Sequence, residues 1–146
     1  MAFDDILSAT SISGTGMAAE RLRMEVVANN IANAFSTRSA DGGPFRRQDV
    51  VFATVLNGKL GGKGRTGAGF GGVEVAEIVE DRSEFNRVFE PGHPDADAEG
   101  MVSYPNVNLE TEMTNLITAS RAYEANVRAS QALQRMMEQS IALIRA

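Results

Sequence analysis

The chain has 146 residues, 43% of them hydrophobic and 6% aromatic, with a formal net charge of −5 and no cysteine. That length sets one domain with a core of moderate size, and the missing thiols exclude disulfides, thiolate metal sites and a cysteine nucleophile. The acidic balance argues against a general nucleic-acid binder, which needs Lys and Arg clusters against phosphate, and no apolar run reaches the ~18 residues of a membrane span.

The first stretch carries Asp4 and Asp5 and no basic residue before Arg21, unlike a Sec-type signal. The expectation is a protein that stays in the cytosol or leaves it by another route. Residues 4–35 are predicted to form a helix, because Ile6, Thr10, Ser13, Met17, Met24, Val27, Ile31 and Ala34 recur three or four apart, with Glu20 as the one break. Gly14 and Gly16 fall inside it at about 1 kcal/mol each against Ala. They mark either a weak point or a close approach of another backbone. The helix runs out in Asn29-Asn30-Ile31-Ala32-Asn33, whose amides either fray its end or fix register against a neighbour.

Residues 36–104 hold 12 of the 14 Gly and three of the 4 Pro, the fourth being Pro105 just beyond. Strand-like runs stand at Phe45–Leu56 and Val73–Val79, with shorter ones at Val88-Phe89 and Met101–Tyr104. Between the first two lies a Gly-rich loop, Gly58–Gly72, with 8 Gly in 15 residues. The segment is expected to be a small antiparallel β element between two long helices. Its charge is segregated: six basic residues against two acids in 38–65, and eleven acids against two basic residues in 74–112. Such a division suits head-to-tail contact between subunits.

From Asn106 to Ala146 there is neither Gly nor Pro, and Met113, Leu116, Ile117, Tyr123, Val127, Ser130, Leu133, Met137, Ile141 and Ile144 trace a helical stripe. Asn108 is the N-cap candidate, with Glu110 and Glu112 in the first turn, where the dipole favours acids. At 1.5 Å per residue the helix is about 57 Å long, against a radius of gyration of about 15 Å for a compact chain of this size. Its stripe therefore needs a partner, from this chain or another.

Little in the sequence carries chemistry. Gly62, Gly64 and Gly67 match a dinucleotide fingerprint, as do Gly67, Gly69 and Gly72, but a strand rather than a helix is predicted to follow. Asp95, Asp97 and Gly100 resemble the start of a calcium loop that ends in Asn106 instead of Glu. His93, the only histidine, has no paired nucleophile. No catalytic, cofactor-binding or metal-binding residue is assigned, and the expectation is a protein without enzymatic activity or cofactor. The alternatives are a Gly-loop ligand- or metal-binding domain, and a peripheral membrane protein using the C-terminal amphipathic helix. The latter is disfavoured because that helix mixes Glu124 and Glu138 with its Arg residues.

The stretch Met24–Ala34, rich in Asn, resembles the N-terminal signature of bacterial flagellar rod and hook proteins. With Gly43–Arg47, Pro91–Gly100, Pro105–Asn108 and Ser120–Asn126, the chain resembles the FlgC family, the proximal rod proteins of the flagellar basal body, over nearly its whole length. The tract Gly58–Gly72 is longer and richer in Gly than that family's pattern. The resemblance implies a mainly α fold with a small β insert, its N- and C-terminal helices paired as a coiled coil. Residues 1–35 and 105–146 would form the inner domain and 36–104 the outer insert. The implied protein is a structural subunit of the hollow drive shaft in the periplasm, self-assembling, exported by the type III apparatus, and in contact with FlgB, FlgF, FlgG and a FliE-type adaptor to the MS ring. The expected assembly interface is Met17, Met24, Val27, Asn29, Asn30, Ile31 and Asn33 on the first helix. On the last it is Leu116, Tyr123, Asn126, Val127, Leu133, Met137 and Ile141.

Overall fold

A computed structural model describes residues 2–39, 42–57 and 69–145. In chain order these form α1 (Ala2–Ala32), β1 (Gln48–Asn57), β2 (Gly69–Glu80), β3 (Asn86–Phe89), β4 (Met101–Tyr104) and α2 (Leu109–Arg145). The helices hold 31 and 37 residues, so the fold is mainly α with a small β portion. β1 pairs with β2, and β3 with β4, in separate two-stranded sheets. The β3–β4 pair is antiparallel, with Asn86 opposite Tyr104 and Phe89 opposite Met101.

The element ends follow from local hydrogen bonding. The Asn108 side chain accepts from the Thr111 N–H at 3.0 Å and its carbonyl from the Glu112 N–H at 2.9 Å, which starts α2 as an N-cap does. α1 stops three residues short of the predicted Phe35. The Asn33 side-chain amide bonds back to the Asn29 carbonyl at 2.9 Å, and the Ser36 N–H to the Asn33 carbonyl at 3.0 Å, so the chain turns. The first strand starts at Gln48 instead of Phe45: the Phe45 N–H donates to the Ser36 carbonyl at 3.0 Å and the Arg47 N–H to Asn106 Oδ1 at 2.9 Å. Gly69–Gly72, expected in the loop, belong to β2; the rest of that loop, with the fingerprint Gly62–Gly67, lies outside the described residues.

The internal contacts fall into two compact units. One comprises Met1–Leu22, Val51–Glu77 and Ala119–Ala146, the other Arg23–Val50 and Ile78–Thr118. Among the described residues, the first buries only Ala19 and Ala119 of its apolar side chains, and the second buries Val26, Val27, Ala34 and Val102. Both cores are small, as expected for a chain whose large side chains are spread along helices.

Candidate functional site

In the second unit a polar joint holds α1, the start of β1, the end of β2 and α2 together. Asn30 is fully buried. Its Oδ1 accepts from the Gln48 N–H at 2.9 Å and its Nδ2 donates to the Gln48 carbonyl at 2.7 Å. The amide thus takes the place of a neighbouring strand at the residue where β1 begins. The same Nδ2 donates to Glu112 Oε2 at 3.0 Å, and the other Glu112 oxygen accepts from Arg47 Nε at 2.9 Å. Glu112 is also fully buried, so its charge is tolerable only because it is paired and hydrogen-bonded. Burial works against the Arg47 charge, yet the hydrogen bond and charge of Glu112, with Asp49 behind, hold the guanidinium above its ordinary pKa.

Asn106 completes the joint. Its Oδ1 accepts from the Arg47 N–H at 2.9 Å, while its Nδ2 donates to the Asp81 carbonyl at 3.0 Å and Ser83 Oγ at 2.8 Å. The Ser83 backbone N–H, then its hydroxyl, and more distantly Arg47 and Arg46 hold the Asp81 carboxyl below its usual range. Arg46 lies over the Phe85 ring, 4.2 Å from its centroid.

In the first unit the elements meet through small residues. Gly72 has φ +120°, and a Cβ there would clash with Thr15 Oγ1. That hydroxyl accepts from the Val73 N–H at 3.2 Å and donates to the Ile12 carbonyl at 2.7 Å. A Cβ on Gly16 would lie 2.9 Å from Asn126 Nδ2, whereas one on Gly14 would meet nothing within 4 Å. Of the two readings of these glycines, close approach therefore holds for Gly16 and not for Gly14.

The predicted interface residues fall into three groups. Val27 and Asn30 are buried within the chain. Met17, Met24, Ile31, Asn33, Leu116, Tyr123, Asn126, Val127, Leu133 and Met137 are half-buried, and Asn29 and Ile141 are exposed. Asn33 and Asn126 turn back on their own helices, to the Asn29 and Ala122 carbonyls. The covered face of α2 runs Glu112, Leu116, Ala119, Tyr123, Asn126, Ser130, Leu133, Met137, in alternating steps of four and three. Met113 and Ile117, on the stripe read from sequence, stand 56% and 55% exposed, so this chain leaves that row uncovered. Glu112 was missed because acids in a first turn suit the helix dipole wherever they point. The available signal was its register, four before Leu116 and seven before Ala119.

The chemical alternatives lose their geometry. Asp95 accepts from Thr37 and Arg38, and Asp97 from the Glu99 and Met101 N–H groups. Their oxygens thus go to donors rather than converging on a cation, and among the described residues no cluster could hold a metal. Gly69 and Gly72 lead into a strand, with no helix N-terminus to receive a pyrophosphate. No helix of the described residues is long and apolar enough to cross a membrane.

Two long helices with exposed apolar side chains, fixed by polar and glycine contacts that form no reaction centre, define a structural assembly protein. Comparison with known proteins gives the kind. A family described as "Flagella basal body rod protein" matches residues 11–38, and "Flagellar basal body rod FlgEFG protein C-terminal" matches 98–143. The flagellar basal-body rod protein FlgC of Borreliella burgdorferi is 40% identical, covering 95% of this chain and 97% of its own. Those of Bacillus subtilis and Escherichia coli O6:H1 are 39% and 38% identical over 90% and 94% of this chain. The chain belongs to the FlgC family of flagellar basal-body rod proteins. It is a structural component of that rod and not an enzyme.

Proposed function

We propose that this chain is a proximal-rod subunit whose α1 and α2 pair as a coiled coil and pack with neighbouring subunits around a hollow shaft. Residues 1–35 and 105–146 form the inner layer in this reading, and 36–104 the outer insert. The alternating four-three register of the covered α2 face supports the pairing, since it is the spacing of a coiled-coil seam. The carrying observation is what remains uncovered: Met113, Ile117, Met136, Ile141 and Leu143 on α2, from 44% to 80% exposed. Apolar rows of this extent mark contact surfaces, and buried at about 25 cal/mol per Å² they supply cohesion against torque. The partners are further copies, the related FlgB, FlgF and FlgG subunits and a FliE-type adaptor to the MS ring, after export through the type III apparatus.

Electron cryomicroscopy of basal bodies from a strain carrying only this chain in the FlgC position tests the reading. Helix density lining the proximal shaft, fitted by α1 and α2, is expected. A motile strain whose rods lack the chain would overturn it.

A further inference from the structure

The second unit carries an open groove of about 550 Å³ between the end of α1, β3 and the start of α2. Ala34, Phe35, Val88, Tyr104, Val107 and Leu109 give it an apolar wall. Phe35 is 72% exposed, more than any other large apolar side chain of that unit. The charged residues lining the groove are Glu90 and Glu110, with no Lys or Arg among them. It thus calls for an apolar ligand with positive charge beside it.

The chain carries such a segment. Residues 119–146 hold four Arg against two Glu, the reverse of the groove. Met136 and Leu143 are 49% and 80% exposed and seven residues apart, which puts them on one helical stripe. At about 100° per residue Arg135 and Arg128 lie roughly a quarter-turn round the helix from that row; Arg128 pairs with Glu124 on the same flank at 3.6 Å, which makes Arg135 the cation that faces the groove. The apolar row with a basic flank matches the apolar wall with an acidic rim. We propose that the groove receives the C-terminal turns of α2 from a second copy of this chain, Leu143 and Met136 entering against Phe35 and Val88, and Arg135 facing Glu110 and Glu90. This rests on the rod-subunit reading. It adds that the contact is heterologous, two different faces of identical chains, the kind that propagates along a filament rather than closing a dimer.

The absence of cysteine from the chain makes disulfide mapping clean. Asn86→Cys, on β3 at the groove, and Leu143→Cys are made as separate full-length variants and co-expressed in a strain lacking the native chain. Basal bodies are oxidised mildly and the rod proteins separated without reductant. The expected product is a dimer joining the two variants, at least tenfold above that from Asn86→Cys with Gln131→Cys. Glu110→Arg in the first variant should lower the yield severalfold, and Arg135→Glu in the second should restore it. Motile cells with no such adduct, an adduct of Leu143→Cys with a different rod protein only, or a yield indifferent to both charge reversals would overturn the groove pairing while leaving the rod reading intact. Rods without the native chain would instead overturn the rod reading itself.

Discussion

The two units are held by opposite means. In the second, α1 and α2 meet through Asn30 and Glu112, both fully buried, and every bond has a direction. In the first, they meet where Gly16 lets Asn126 come close, and β2 rests on α1 where Gly72 leaves room for Thr15. Hydrogen-bonded charges lose heavily when one partner goes. Close approach through glycine loses when anything is added. Among the described residues the first unit buries two alanines of its apolar side chains, the second three valines and an alanine.

The largest effect that would sharpen this contrast is Glu112→Ala. It leaves the Arg47 guanidinium and the Asn30 amide without their carboxylate, and breaking a buried pair in this way costs about 3 to 5 kcal/mol. Hydrogen exchange of the isolated chain should show loss of protection throughout 23–50 and 78–118, with little change in 2–22 and 119–145. Glu112→Gln keeps acceptor and shape and should fall well short of that loss. If the alanine variant kept full protection in the second unit, the joint would be ornamental.

Gly72→Ala comes next and acts on the first unit. A positive φ costs a non-glycine residue about 1 to 3 kcal/mol, and the new Cβ would also clash with Thr15 Oγ1. Thr15→Ala in the same chain should recover the steric part and not the backbone part. The expected readout is faster exchange at Val73 and around Thr15, with the Asn30–Glu112 joint undisturbed. Equal damage in both units would mean that they are not separately held.

How much of this was legible depends on the kind of force. Periodicity located both helices and the strands, because burial of apolar rows imposes a period. The N-cap at Asn108 was legible because capping is local. The sequence leaves the Asn29–Asn33 amides open between a frayed end and a register role; the partners of Asn30, the Gln48 backbone and Glu112, stand 18 and 82 residues away, and no local rule names such partners. Gly72 hid inside a run of glycines that reads as loop; pairing with β1 overrides the low strand propensity of Gly. Met113 and Ile117 belong to the apolar stripe read from the sequence, and apolar character alone cannot say which of two adjacent rows the chain itself covers and which it leaves for another.

A smaller effect concerns the turn 95–101. The Met101 N–H foremost, then the Glu99 N–H and Arg87, outweigh the opposing effect of burial and hold the Asp97 carboxyl below its usual range. A depressed carboxylate stabilises the turn above its unfolded pKa of about 3.9, and that contribution is lost as pH falls through the folded value. Acidification below about pH 4 should therefore speed exchange of the Met101 and Glu99 amides, and Asp97→Asn should flatten that dependence. An unchanged acid profile in the Asn variant would assign the response to another group.

The smallest effect is the most direct test of close approach, because it compares two glycines two residues apart on one helix, pointing to opposite sides of it. Ala is favoured over Gly inside a helix by about 1 kcal/mol. At Gly14 nothing opposes that gain, since a Cβ there has no neighbour within 4 Å. At Gly16 the Cβ would sit 2.9 Å from Asn126 Nδ2, an amide already tied to the Ala122 carbonyl at 3.1 Å. For the alanine to fit, that amide must leave its bond or α2 must withdraw. Gly14→Ala should raise helicity by circular dichroism and shift the melting midpoint up by a few degrees, while Gly16→Ala gains neither. The same pair in rods separates folding from assembly: Gly14→Ala should build them normally, and Gly16→Ala should build fewer. Equal gains at both positions would show that α1 and α2 do not need Gly16 to meet, and the contrast between the two units would lose its second half.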